Sequence, residues 1–274
     1  MLRTRDPGLR RRLIDAVSLG EWKKLRTEIY HECRDVRKML ETRRPEWMAA
    51  EPDLALYYKL KADWSPAGGF WRRVRRAPGA EARLVADEVG LERAREDAKY
   101  RRGAMGEIHF DQMRLSGWTG RPIERLPGWD GTDVDWWRLD SQARWWEHLI
   151  VHPDQPVLDW LGPFVDVPAI ARSFESWNRV WLHEATIDEL PREWLRWAVM
   201  VLQSMRRVTP GTPADNQIAL YAYEADLLLS ADKGFVDIIN RVGESAPQRL
   251  ALARVIRTGL DPVQQVDDVV RSFA

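Results

Sequence analysis

The chain is poor in the residues that anchor many function classes. One cysteine in 274 residues, Cys33, excludes a disulfide framework and any multi-cysteine zinc site. No run of residues approaches the ~20 apolar positions needed to span a bilayer. The opening residues are basic, yet no sustained apolar stretch follows them, so no signal peptide is expected and a soluble, cytoplasmic protein is. Net charge is also lacking, with 42 basic against 42 acidic side chains. There is no Gly-x-Ser-x-Gly, no glycine-rich phosphate loop and no dinucleotide fingerprint. Internal repeats and low-complexity tracts are missing too. The five histidines form no motif: His148 and His152 are four apart, but Pro153 ends their helix, and His183-Glu184 has no partner motif.

What is present is a large apolar fraction, 45%, enough to bury one large core or two modest ones. Charge is unevenly spread: residues 1–103 carry 25 Lys/Arg against 17 Asp/Glu, and the remainder the reverse. A basic front half suits a phosphate backbone, an acidic back half suits cations, and surface helices look the same without either. Tryptophan is abundant, with 15 in all and eleven between Trp118 and Trp197. Trp71 stands beside Arg72, Arg73, Arg75 and Arg76, a combination that can stack on bases and track phosphates. Trp at helical spacing, as in Trp194 and Trp197, reads as core.

Apolar periodicity predicts helices over residues 9–19, 25–39, 54–62, 81–102 (one or two), 134–151, 167–177 and 190–205. In 134–151 the apolar face is expected to be Trp137, Leu139, Ala143, Trp146 and Ile150; in 190–205 it is Leu195, Ala198, Val199 and Leu202. Residues 112–133, rich in Gly, Pro and Asp, read as a loop.

The most informative stretch is 213–235. Asp215 follows Pro210, Gly211 and Pro213, where a helix begins. Leu227, Leu228 and Leu229, bracketed by Asp226 and Ser230, form an apolar run short enough for a strand covered on both faces. Asp232 then lies just past the strand's end. Ligands of open α/β sheets bind beyond such ends, and two carboxylates there make a divalent-cation site for Mg²⁺ or Mn²⁺. Taken singly, each acid also fits a helix N-cap. Ser230 has no nearby His and is expected to hydrogen-bond the acidic cluster, with Asn216 a second supporting residue.

The pattern Asp215-x-x-Ile218-Ala219, apolar strand 227–229, Ser230-x-Asp232-x-x-Phe235 resembles the C-terminal half of PIN domains. The resemblance is carried by residues 205–242. It implies an α/β fold, a small parallel sheet flanked by helices, here with a long helical insertion. It further implies a metal-dependent endoribonuclease that leaves a 3′-hydroxyl and a 5′-phosphate. The partners implied are RNA and, since many such domains are toxins of toxin–antitoxin pairs, an antitoxin protein. Residues 1–45 and 189–274 would form the PIN-like part and 46–188 the insertion. On the same resemblance Ile29-Tyr30-His31-Glu32-Cys33 matches the helix turn bearing the third acid, Glu32, with Glu28 one turn earlier as a fallback. Glu28, Glu32 and Asp35 also fit simple pairing with neighbouring Arg.

PIN domains place a further Asp at the end of a first strand, and residues 1–8 are polar and turn-like instead. Either sequence upstream of Met1 supplies that strand, or it is absent and the acid set is incomplete, leaving a nucleic-acid or protein-binding module. A third reading places it at Glu107-Ile108-His109-Phe110-Asp111, with Asp111 as ligand.

Overall fold

A computed structural model describes residues 6–17, 25–64, 69–84, 88–104, 115, 126–206, 212–257 and 262–273. The alternative first strand ending at Asp111 lies outside these residues. From the N-terminus the helices are α1 (Pro7–Val17), α2 (Glu28–Arg43), α3 (Leu54–Asp63), α4 (Gly69–Arg76), α5 (Pro78–Leu84), α6 (Glu88–Ala104) and α7 (Trp136–Trp146). There follow α8 (Gln155–Trp160), α9 (Val167–Ala171), α10 (Phe174–Arg179), α11 (Pro191–Ser204), α12 (Thr212–Ala219), α13 (Lys233–Gly243) and α14 (Pro262–Phe273). Two strands, β1 (Leu227–Ser230) and β2 (Leu252–Val255), pair in parallel with Leu227 opposite Leu252 and Ser230 opposite Val255. The chain is thus mostly helical, with a two-stranded parallel sheet.

Packing divides it into two compact units, Met1–Arg93 with Arg144–Phe174, and Ala94–Ala143 with Glu175–Ala274. This division cuts across the three segments expected from sequence. In the first unit, α2 packs on α8, and the rings of Tyr30 and Tyr57 meet Trp160 edge-on at 5.1 and 6.1 Å. Tyr57 also meets Phe164 at 4.9 Å, with the Arg37 guanidinium 4.3 Å from that ring. Such offset aromatic contacts add to the area they bury.

The second unit is organised by α11. Pro191 opens it at a position whose N–H has no helical partner to lose, and Leu195, Ala198, Val199 and Leu202 are fully buried, as their spacing predicts. The helix is buried around nearly its whole circumference, packing on α12 and α13. Buried Arg192 pairs with Glu224, so this charge is not left alone in the core. Trp177 and Trp181, both fully buried, lie 5.5 Å apart.

Three local expectations change. The stripe buried along α7 and its continuation is Trp137, Ser141, Trp145 and Leu149, whereas Ala143 is exposed. Straight i, i+4 spacing wins, and a serine inside the stripe hid it from an apolar scan. The helix expected over 167–177 is broken between α9 and α10, where Ser173 Oγ donates to the Ala169 carbonyl. The β1 leucines are only half-buried, because among the described residues the sheet has two strands and cannot cover them on both faces.

Candidate functional site

The site is built on the unit β1–α13–β2. A parallel pair needs a crossover, and α13 supplies it, burying Phe235, Val236, Ile238, Ile239 and Val242. Asn240 on α13 donates to the Ala253 carbonyl and accepts from the Ala253 N–H, both at 3.2 Å. That side chain closes the outer edge of β2, so the sheet does not extend there.

At the end of β1 the chain turns through Asp232. Its own N–H donates to Ser230 Oγ at 3.1 Å, and its Oδ1 accepts from the Phe235 N–H at 3.0 Å. Asp232 is therefore the N-cap of α13, and Ser230 fixes the turn that aims it. Asp215 is not a cap. Its helix starts at Thr212, which leaves Asp215 the fourth residue, half-buried inside the first turn.

Burial, and then the negative charge of Asp232, push the Asp215 carboxyl up to about 6. The two carboxylates thus lie within electrostatic reach, on different elements. Next to Asp215, the Oδ1 of Asn216 is buried and has no hydrogen-bond partner among the described residues. A buried acceptor in that condition costs free energy unless something donates to it or binds it. Basic groups flank the acids. A Cβ on Gly234 would stand 3.1 Å from both Asp232 Oδ1 and Arg206 Nη1, so a side chain there would crowd the two. Arg206 and Lys233 reach Asp237 at 3.5 and 2.8 Å, and Lys233, the nearer, leads in holding that carboxyl below its usual range.

Glu32 has a different setting. It lies on α2 in the first unit, fully buried, and accepts from Arg144 Nη2 at 3.2 Å. That partner gives the carboxylate a structural task. Among the described residues no three His, Cys, Asp or Glu side chains cluster as a metal cage. The candidate donor set is two carboxylates, Asp232 just past β1 and Asp215 on α12. It suits a hard cation that keeps several of its waters.

Trp71 and its arginines occupy α4. Trp71 is half-buried and meets Phe70 edge-on at 5.5 Å, and Phe70 stacks on Trp64 at 4.4 Å. Arg73 is held by Asp63 and Glu81, each at 3.2 Å, while Arg72, Arg75 and Arg76 are exposed.

Sequence reasoning missed one feature. In the second unit a cavity of about 440 Å³ is lined by Gly128, Trp129, Asp130, Glu175, Arg179, His183 and Glu184. His183, which belongs to no sequence motif, has its Nδ1 3.8 Å from the Oδ1 of Asp130, 53 positions earlier in the chain. Gly128 is required here: φ is +80° and a Cβ would fall 2.1 Å from the Glu175 carbonyl oxygen. Nothing in the local sequence around either residue signals the pairing.

Comparison with protein-family models, with curated proteins and with solved structures finds no match for this chain. Among the described residues, no helix is long and apolar enough to cross a membrane.

Proposed function

We propose that this chain is a metal-dependent ribonuclease of PIN type, with Asp215 and Asp232 holding Mg²⁺ or Mn²⁺ beyond the carboxyl end of β1. The observation that carries the reading is that two carboxylates from different elements meet: Asp215, half-buried on α12, feels the charge of Asp232 at the cap of α13. A half-buried carboxylate set next to a like charge is costly in isolation and is relieved by a cation. A bound cation would lower the pKa of a coordinated water and neutralise charge on the attacked phosphate. The protein's own part is positional. Ser230 and the first turn of α13 hold Asp232 in place, and α12 presents Asp215 from a partly desolvated wall. Asn216, next to Asp215 in the chain, would support the site through its unpartnered Oδ1, and Arg206, near Gly234, would offer a guanidinium to a phosphate oxygen. Hydrolysis would leave a 3′-hydroxyl and a 5′-phosphate, as the resemblance implies.

The test is cleavage of single-stranded RNA with Mn²⁺ by wild type, Asp215→Asn and Asp232→Asn. Loss of metal-dependent cleavage in both folded variants supports the assignment, and unchanged cleavage refutes it. A role as the toxin of a toxin–antitoxin or defence system belongs to the same proposal. Growth arrest on induction that vanishes in Asp215→Asn would support it.

The engagement of Glu32 with Arg144 favours one second reading, a catalytically incomplete module that binds nucleic acid or protein. That reading expects RNA binding without cleavage at any Mn²⁺ concentration.

A further inference from the structure

We infer that α1 and α4 of the first unit form one arginine surface that binds the phosphate backbone of a nucleic acid. The two helices are remote in sequence and joined in space: Arg11 Nη1 donates to the Arg75 carbonyl at 2.9 Å across 64 positions. α1 also packs on α5, where Arg10 Nη1 lies 3.7 Å from the place a Cβ on Gly79 would occupy. α4 is eight residues long, about 12 Å at 1.5 Å per residue, so its arginines all lie within that reach of the junction.

This surface concentrates unmet charge, with Arg72, Arg75 and Arg76 on one eight-residue helix. Some exposed arginines elsewhere are matched on their own helix, as Arg179 by Glu175 at 3.0 Å and Arg271 by Asp267 at 2.7 Å. Arg12, Arg72, Arg75 and Arg76 are exposed and have no ion pair among the described residues. The acids near them are committed: Asp63 and Glu81 hold Arg73, and Asp15 meets Arg11 at 3.2 Å. Unpaired guanidiniums crowded together repel one another, and a line of phosphates relieves that while accepting paired N–H donors.

The apolar side chains of α4 argue against other partners. Val74 is buried, Phe70 is stacked on Trp64 and Trp71 is half-buried against Phe70. Along α4 itself no ring is left over to enter a bilayer or to anchor a protein interface, both of which need apolar burial. Phosphate contacts need none. Binding of this kind is sequence-independent and strongly salt-dependent. It requires neither Asp215 nor Asp232, so it stands or falls apart from the nuclease reading.

The experiment is fluorescence anisotropy of the full chain in EDTA, with a labelled oligouridine and a DNA duplex of about 20 nucleotides, titrated over roughly 50 to 200 mM salt. Wild type should bind with affinity falling linearly in log salt. Arg72→Gln/Arg75→Gln/Arg76→Gln should lose at least about tenfold at the lowest salt and flatten the slope by about two. Arg179→Gln/Arg241→Gln/Arg271→Gln, with the same charge change, should stay within about twofold. Unfolding midpoints establish that each variant is folded. Arg12→Gln/Arg72→Gln serves should the first triple variant not fold, with the same direction expected. Equal binding by the α4 variant, equal loss in the control, or binding only to anionic vesicles would overturn the inference.

Discussion

Glu32, on α2 of the first unit, is fully buried and meets a guanidinium at 3.2 Å; Asp215, on α12 of the second, is half-buried and meets the charge of another carboxylate. Both acids leave water, and their neighbours differ in sign. A buried acid with an opposite charge is a structural solution: taking away one partner strands the other. A buried acid beside a like charge has no internal solution, and such arrangements gather where a cation or a proton is handled. The comparison teaches that burial alone does not decide an acid's role, and that the sign of the neighbouring charge must be read beside it.

The largest effect that sharpens this contrast is on activity. Asp215→Asn and Asp232→Asn should each lower Mn²⁺-dependent RNA cleavage by at least about a hundredfold, read on a labelled oligonucleotide. Next comes the pair in the first unit. Arg144→Met should destabilise the chain by about 3–5 kcal/mol in urea unfolding, and Glu32→Met/Arg144→Met should recover most of that loss. Recovery would confirm that the cost lies in the stranded charge.

The third effect has the opposite sign. The Asp215 carboxyl sits at about 6 in the folded chain against an ordinary 3.8, so the folded state holds its proton more tightly. The stability that proton confers is complete below about pH 4 and is lost as pH rises through about 6. Asp215→Asn should therefore stabilise the metal-free protein at pH 8 and change nothing near pH 4. Discounted for partial exposure, the gain is about 1–2 kcal/mol. The smallest effect isolates the cap. Near pH 4, where Asp215 is protonated, Asp232→Ala should cost about 1 kcal/mol and Asp232→Asn a few tenths, since Asn can still accept from the Phe235 N–H.

Much of the helical framework was legible because its buried stripes are apolar and evenly spaced, as along α11. β1 announced itself through three leucines. β2 did not, since Leu252 and Val255 are exposed and Arg254 interrupts the run. The stripe of α7 was misread because it runs Trp137, Ser141, Trp145 and Leu149, and a search for apolar residues passes over Ser141. At the site, Asp215, Ser230 and Asp232 were readable from one contiguous helix–strand–helix segment. Asn216's unpartnered oxygen, the pairing of Arg144 with Glu32 across 112 positions, and the meeting of α1 with α4 were not. Each depends on tertiary packing, to which local periodicity is blind.

The most direct test is a calorimetric Mn²⁺ titration of the full chain at about pH 8 and about pH 5, with wild type, Asp215→Asn and Asp232→Asn. Saturable binding by wild type at the higher pH, weakened roughly tenfold at the lower as Asp215 takes up its proton, and abolished in both variants is the outcome expected. Binding that survives in Asp215→Asn, or no binding by wild type at the higher pH, would contradict a cation shared by these two aspartates.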